Sequence, residues 1–202
     1  VTKILAEFNS EEVLETMGNI IVSSEPVDLQ EIAAETLASF GDSAIDLLTD
    51  LLAKPKSRLL AIKALAKINC ISIIPALLTV VKDENNEVRM IAISALNNYC
   101  DSRIPIVLIS ALKDKVAKVR KAAIIGLAGY ANLHQELGLV KLLQALLWDI
   151  NFEVSQQAAI ALGKIGTNSA ATALCELLKT TAVPVFFKID AVRALGLSLI
   201  HI

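Results

Sequence analysis

The chain has 202 residues, of which 54% are hydrophobic, 4% aromatic and 20% charged, and its formal net charge is −2. Such a chain is long enough to bury a substantial core, which must consist mainly of aliphatic side chains. The slightly acidic pI near 5.7 argues against a partner held by bulk positive charge, such as nucleic acid or anionic lipid.

Helical periodicity is present from the beginning of the chain. Thr2–Phe8 is predicted to be the end of an incomplete helix, and a second helix follows from Ser10 to about residue 23. Pro26 breaks the chain, and Asp28–Phe40 carries an apolar stripe at helical spacing that is expected to face the core. The stripe consists of Leu29, Ile32, Ala33, Thr36, Leu37 and Phe40.

First and second helices then alternate in pairs. First helices are predicted at about 43–53, 71–82, 103–113, 135–148 and 168–179. Second helices are predicted at about 57–68, 86–99, 117–131, 152–165 and 185–199. Gly41 is expected to end the helix before the first of these pairs in the left-handed conformation, which glycine adopts without strain.

One pattern of small and large side chains occurs six times, in Asp28–Phe40 and in the five second helices, so Asp28–Phe40 is the second helix of the first pair. A leucine column consists of Leu37, Leu65, Leu96, Leu127, Leu162 and Leu195. Four residues earlier stands an alanine column, which consists of Ala33, Ala61, Ala92, Ala123, Ala158 and Ala191. One residue before each leucine is a small-residue column of Thr36, Ala64, Ala95, Gly126, Ala161 and Ala194. The repeat predicts an all-α solenoid of about six helix pairs, in which small side chains let neighbouring helices approach closely.

The domain organisation follows from the same repeat. No segment rich in Gly, Pro or Ser divides the chain, so residues 1–202 are predicted to form one domain. Both ends are apolar, including Leu197–Ile202, whereas solenoids usually close with polar capping repeats. We therefore predict a fragment of a longer array or a domain without end caps, with end-to-end self-association as a further expectation.

A cytoplasmic protein without membrane insertion is predicted. No signal peptide is visible, and the longest uncharged stretch, Ile68–Val81, is shorter than the ~20 residues that a spanning helix needs. Cys70, Cys100 and Cys175 show no CxxC spacing and are predicted to be reduced, buried thiols.

The two most similar units are Asp83–Leu96 and Asp114–Leu127. In both, Val-Arg follows the Asp after four residues, and the alanine and leucine columns come next. Helix pairs with this Asp-x4-Val-Arg-x2-Ala-x3-Leu unit resemble the HEAT family, and most closely its variant in phycobiliprotein lyases, which attach open-chain tetrapyrroles to antenna proteins. The resemblance covers about residues 28–199 and implies a right-handed superhelix.

The resemblance also implies a ladder of ion pairs in which each Arg bridges the Asp of its own unit and that of a neighbouring unit. The residues assigned to complete rungs are Asp83 with Arg89 and Asp114 with Arg120. Asp149 is followed by Ser155 where an Arg is expected, so Asp149 is predicted to lack its partner. Arg58 and Lys188 keep the basic position without the Asp, and a structural role is favoured over a phosphate-binding stripe.

The sequence contains no recognisable catalytic or metal-binding constellation. His134 and His201 are the only histidines, which are too few for a zinc cluster or a His-based triad here. The Gly126-x-x-Gly129 spacing lies in a helical pattern and follows no strand, which excludes a phosphate loop. We predict no catalytic residue, no metal and no cofactor.

One turn departs from the repeat in composition. Trp148, Ile150 and Phe152 occupy positions that are charged, polar or small in the two preceding units. Two interpretations are open. The side chains fold back as a staple over the adjacent layer, or they anchor a partner or a flat ligand, because Trp is enriched among binding hot spots.

The second helices offer another candidate surface, because in the HEAT family they line the concave side. Ile125 and Ile160 would form an apolar floor with a basic and amide rim, unless a slight helix rotation buries both. The surrounding residues are Met90, Lys121, Gln156, Lys164 and Arg193. Such a surface suits an amphipathic helix of a partner protein, or a tetrapyrrole whose propionates pair with the cations.

The leading hypothesis is a non-enzymatic scaffold or adaptor for protein–protein interaction that uses the concave face and the Trp148–Phe152 turn. The alternative is a subunit of a phycobilin lyase or another chromophore-handling factor, which would bind a bilin tetrapyrrole. Neither hypothesis includes nucleic acid binding or membrane insertion.

Overall fold

The computed structural model describes residues 10–181 and 183–199, and every regular element in these ranges is a helix. The α-helices are α1 (Ser10–Val22), α2 (Val27–Ser39), α3 (Ile45–Ala53), α4 (Arg58–Leu65), α5 (Ile74–Thr79), α6 (Asn86–Leu96), α7 (Ile104–Ala111), α8 (Ala117–Leu127), α9 (Leu139–Leu146), α10 (Phe152–Ile165), α11 (Asn168–Lys179) and α12 (Val185–Leu199). Short 3-10 helices occupy Gly41–Ala44, Ile71–Ile73 and Ala128–Leu133. The helix predicted at Thr2–Phe8, His201 and the last residues of the predicted apolar end lie outside the described ranges.

The helices belong to two compact units, Val1–Ala95 and Leu96–Ile202. In the first unit α1 packs on α2 and α3 packs on α4, while α2 lies beside α4. In the second unit the packed pairs are α7 with α8, α9 with α10, and α11 with α12, and α10 lies between α8 and α12. Side-by-side stacking of the second helices within each unit confirms the predicted all-α solenoid of helix pairs.

The three repeat columns form the core, as the pattern predicts. All six alanines of the alanine column are buried, and so are five leucines of the leucine column, while Leu195 is half-buried. The small-residue column is buried from Ala64 to Ala194. Thr36 is half-buried, and its hydroxyl donates to the carbonyl oxygen of Ile32 at 2.8 Å.

Several helix boundaries differ from the prediction, and two of these differences have a clear local cause. Helix α9 begins at Leu139 and not at residue 135, because Gly138 with φ of 62° interrupts the helical backbone. Helix α8 ends at Leu127, where the chain tightens into the 3-10 segment that contains Tyr130. Gly41 has φ of 59°, which confirms the predicted left-handed residue after α2.

Two predictions about burial are wrong. In α2 the residues Ala33, Ala34 and Leu37 are buried, whereas Leu29 and Ile32 of the predicted core-facing stripe are exposed. The cysteines are free thiols, but Cys100 and Cys175 are exposed. In the parts of the chain that the structure describes, no helix has the length and apolarity needed to cross a membrane.

Candidate functional site

A nearly buried ion pair holds the turn between α9 and α10. Arg120 of α8 donates from Nε and Nη2 to the two carboxylate oxygens of Asp149, at 2.8 and 2.7 Å. Their side chains are only 11% and 8% exposed. The same guanidinium donates from Nη1 to the carbonyl oxygen of Asp114 at 2.7 Å. Because the bidentate pair is charge-assisted, it fixes the turn strongly to the preceding second helix.

Asp149 also organises the backbone of its own turn. Its Oδ1 accepts the N–H of Asn151 at 2.8 Å, as Asp side chains do in turns. The side chain of Asn151 in turn accepts the N–H of Val154 at 3.3 Å and caps α10. Two of the five residues of the turn are therefore used to hold its shape.

The three alternate side chains of the turn face solvent to different extents. Trp148 is 57% exposed, Ile150 is 99% exposed and Phe152 is 38% exposed. The ring of Phe152 makes edge contacts with Phe186 at 4.8 Å and with the buried Phe187 at 5.5 Å between centroids. Phe152 thus packs back on α12, whereas Trp148 and Ile150 remain accessible to a partner.

We call Trp148, Ile150, Phe152 and the exposed Phe186 the aromatic turn surface. It is apolar, lies within one compact unit, and is displayed by a turn that hydrogen bonds and an ion pair fix on both sides. Exposed hydrophobic side chains that are held in place in this way favour binding, because little conformational freedom remains to be lost.

An equivalent ion pair occurs in the first unit. Arg58 donates from Nη1 to Oδ2 of Asp83 at 2.7 Å, and from Nε to the carbonyl oxygen of Leu52 at 2.9 Å. Oδ1 of Asp83 accepts the N–H of Asn85 at 2.8 Å. Arg89 is buried and donates from Nη1 to the carbonyl oxygen of Asp83 at 2.7 Å.

The predicted apolar floor in the second unit stays accessible. Ile125 is 47% exposed and Ile160 is half-buried, so helix rotation does not bury both of them. Acidic residues of the same or a neighbouring helix occupy much of the predicted cationic and amide rim. These contacts are Lys121 to Glu153 at 2.9 Å, Gln156 to Asp190 at 2.7 Å and Arg193 to Asp190 at 3.3 Å, while Lys164 is exposed.

Charge pairing also covers the second helices of the first unit. Lys67 pairs with Glu35 at 2.6 Å, and Lys63 lies 3.8 Å from Glu31 and 3.7 Å from Glu87. A groove of about 330 Å³ lies among α2, α4 and α6, with alanine and leucine side chains between these charges. Met90, the predicted surface residue of α6, is half-buried.

A family model of HEAT repeats matches residues 53–128 and 104–196. The chain belongs to the HEAT-repeat family. The predicted HEAT resemblance is thereby confirmed, while the finer likeness to the phycobiliprotein-lyase variant stays a prediction. No curated protein matches this HEAT chain.

Solved structures share the fold of this HEAT chain at low sequence identity. The E. coli protein YibA is 21% identical, with a TM-score of 0.70 over 98% of this chain and 74% of that chain. A designed armadillo repeat protein in complex with peptide (KR)4 is 21% identical, with a TM-score of 0.67 over 92% of this chain and 99% of that chain. An engineered protein is 24% identical, with a TM-score of 0.63 over 92% of this chain and 98% of that chain.

The HEAT ladder needs two corrections. Asp149 does not lack a partner, because Arg120 of the preceding helix pair binds its carboxylate. Arg58 also forms a rung of the ladder. Leu52 stands where the Asp of this helix pair is expected, but Arg58 donates to the Leu52 carbonyl oxygen and pairs with the Asp83 carboxylate. In both cases the guanidinium binds a backbone carbonyl of its own helix pair and the carboxylate of the next pair.

Sequence reasoning missed Phe186 as a member of the aromatic turn surface. Its position in the repeat is that of Glu153, so the column alignment alone suggests a solvated polar side chain. The sequence Val-Phe-Phe at residues 185–187 was the available signal, since two adjacent aromatics on a helix cannot both face the core. Within the described ranges of this HEAT chain, no group of three or more potential metal ligands is present.

The pKa of Asp149 lies below its ordinary value of 3.8. Burial raises this pKa, but hydrogen bonds from the Arg120 guanidinium and the Asn151 N–H, together with the charge of Arg120, outweigh the effect of burial. The folded state therefore favours the ionised carboxylate more than the unfolded chain does.

We expect the unfolding free energy of the HEAT chain to depend on the ionisation of Asp149. The depressed pKa stabilises the fold above the unfolded pKa, and this contribution is lost as the pH falls through the folded pKa. Urea unfolding of the wild type and of Asp149→Asn at a series of pH values should show a difference in midpoint at pH 7 that shrinks below about pH 4.

Glu153→Gln is the matched control for this titration. The pKa of Glu153 is lowered by its hydrogen bond with Lys121 and by that cation's charge, but the carboxylate is exposed and screened by solvent. Its midpoint should stay close to that of the wild type at every pH. A constant difference between Asp149→Asn and the wild type down to pH 2 would contradict the assignment.

Proposed function

We propose that this HEAT chain is a non-enzymatic protein-binding scaffold and that the aromatic turn surface is its main contact. The observation that carries the proposal is the exposure of Trp148 and Ile150 on a turn fixed by the Arg120–Asp149 pair. A rigid Trp beside an aliphatic side chain is the kind of anchor that supplies most of the free energy at protein interfaces.

The exposed face of the second helices supports the same proposal. In the second unit Ile125 and Ile160 are accessible beside the exposed Lys164 and the Lys121–Glu153 pair. An amphipathic segment of a partner protein fits such a face, because it meets apolar side chains between charges of both signs. A designed repeat protein of similar fold is seen in complex with a peptide, which supports a peptide segment as the bound element.

A phage-displayed peptide library, selected on the immobilised chain, tests the aromatic turn surface. Peptides that bind the wild type are expected to lose at least about thirtyfold in affinity for Trp148→Lys/Ile150→Lys, because the variant removes a hot spot and adds two charges. Fluorescence anisotropy of the selected peptides measures the change, and circular dichroism checks that the variant remains folded.

Ile106→Lys is the matched control for this experiment. Ile106 lies on α7 in the same unit and is 70% exposed, so its replacement changes charge and apolar surface without touching the turn. The selected peptides should bind this variant as tightly as the wild type. Equal binding by Trp148→Lys/Ile150→Lys would rule out the aromatic turn surface as the contact.

The bilin-handling alternative also stays a prediction, and absorbance tests it. Expression of the chain together with a bilin would give visible bands in the purified protein if a tetrapyrrole binds. We further propose a cytoplasmic location, which is supported by three cysteines that are free in the structure.

A further inference from the structure

Exposed apolar side chains are concentrated on two second helices, α2 and α12. The exposed residues of α2 are Val27, Leu29 and Ile32, and those of α12 are Val185, Phe186, Ile189, Val192 and Leu197. Second helices elsewhere in the described chain show only isolated cases, such as Ile125 on α8. This concentration suggests that α2 and α12 each carry a face that another element covers.

The packing of α10 on α12 shows how second helices join in this chain. Gly163 lies so close to α12 that an added Cβ would be 2.5 Å from the carbonyl oxygen of Ala194. Ala159 is fully buried, and Gln156 donates from Nε2 to Oδ2 of Asp190 at 2.7 Å. Gln156, Ala159 and Gly163 therefore form the face that α10 presents to the next second helix.

The same face is present on α12, 33 residues further along the chain, and it is open. Ile189, Val192 and Gly196 take the positions of Gln156, Ala159 and Gly163. Val192 is 56% exposed whereas Ala159 is 0% exposed, and a Cβ added to Gly196 would meet nothing within 4 Å. Helix α12 thus has Gly196 at the position where Gly163 allows close helix packing in α10, but no described helix packs against Gly196.

Helix α2 carries the complementary face. The leucine columns align Leu37 with Leu195, which places Ile32 at the position of Asp190 and Thr36 at that of Ala194. The polar pair of Gln156 with Asp190 would then be replaced by two exposed isoleucines, Ile189 and Ile32. The Thr36 hydroxyl is already bonded to the Ile32 carbonyl oxygen, so it could approach Gly196 without losing a partner.

We propose that α12 of one copy packs against α2 of a second copy, head to tail, with the geometry that α10 and α12 have within one chain. Within one chain this position joins two polar side chains, Gln156 and Asp190, whereas between two copies it would join the exposed Ile189 and Ile32. This apolar match favours a second copy as the partner of each face. In a dimer formed by such a contact, the α2 face of one copy and the α12 face of the other stay unoccupied, so further copies can add and assembly depends on concentration.

Sedimentation velocity of the full 202-residue chain over roughly a hundredfold range of concentration tests the proposal. The wild type is expected to form oligomers of increasing size. Ile32→Glu and Ile189→Glu should each lower the association constant by at least about thirtyfold, since a charge would be buried at the contact. Gly196→Leu should weaken association as well, because the added side chain occupies the space for close approach.

A mixture of Ile32→Glu and Ile189→Glu gives the sharpest result. Ile32→Glu keeps only its α12 face and Ile189→Glu keeps only its α2 face. The two variants therefore form a dimer through these faces, and this dimer cannot grow. Trp148→Lys should assemble as the wild type does, which separates this contact from the proposed peptide-binding surface.

Three outcomes would overturn the head-to-tail contact. The wild type remains monomeric at every concentration, the mixture of the two blocked variants gives no dimer, or Ile32→Glu alone still dimerises, as a symmetric pairing of two α12 helices would allow.

Discussion

Replacement of Arg120 by methionine is expected to lower the free energy of unfolding by about 3 kcal/mol. The variant leaves the Asp149 carboxylate nearly buried without its cation, and it also removes the hydrogen bond to the Asp114 carbonyl oxygen. Methionine keeps most of the apolar length of the arginine, so loss of packing contributes little. Urea unfolding at pH 7, followed by circular dichroism, measures the change.

The control is a double-mutant cycle with Asp149→Asn. The amide oxygen of Asn retains an acceptor for the Asn151 N–H, so the turn keeps its cap while the charge is removed. Arg120→Met/Asp149→Asn should be more stable than the sum of the two single losses predicts, because no uncompensated charge is left. Additive losses within about 0.5 kcal/mol would show that the two side chains do not interact in solution.

The ion pair connects stability with the proposed binding surface. Asp149 stands between Trp148 and Ile150 in the turn, so a loosened Asp149 lets both exposed side chains move. Peptide binding by the aromatic turn surface should therefore weaken in Arg120→Met even where the variant remains folded, since more conformational freedom is lost on binding.

The fold was predictable because one spacing rule governs most of the core. The alanine column is buried in all six helix pairs. The repeat spacing alone predicts this burial, since a small side chain is needed wherever two second helices pack closely. For the turn the sequence left two interpretations open, and the structure divides the residues between them. Phe152 packs back on α12, whereas Trp148 and Ile150 are exposed.

What the sequence did not reveal depends on contacts between helix pairs. Arg58 was missed as a ladder residue because its carboxylate partner, Asp83, lies in the next helix pair and not in its own. In α2, a stripe at helical spacing identifies Leu29 and Ile32 as one face, but spacing cannot show whether a neighbouring helix covers that face. The Phe152 contact with α12 likewise joins residues 34 and 35 positions apart.

Gly163→Ala is expected to destabilise the chain by about 2 to 3 kcal/mol, although alanine is the better helix former by about 1 kcal/mol. The added Cβ would lie 2.5 Å from the Ala194 carbonyl oxygen and 3.0 Å from its Cα, and backbone atoms of a packed helix cannot move aside alone. The interface between α10 and α12 must therefore open. Thermal or urea unfolding of this variant against the wild type measures the effect.

Gly126 and Gly129 differ from Gly163 in what an added Cβ would meet, so their alanine variants should differ in stability. At Gly126 the added Cβ would collide with Asn97 Oδ1 and would lie 2.7 Å from Leu108 Cδ1. Both atoms are at the ends of side chains, which adjust more easily than backbone, so Gly126→Ala should lose less stability than Gly163→Ala. At Gly129 nothing lies within 4 Å, and Gly129→Ala should raise stability by up to about 1 kcal/mol through the unfolded state. The expected order of stabilities is therefore Gly129→Ala above Gly126→Ala above Gly163→Ala. A Gly163→Ala protein as stable as Gly129→Ala would show that α10 and α12 do not pack at backbone distance.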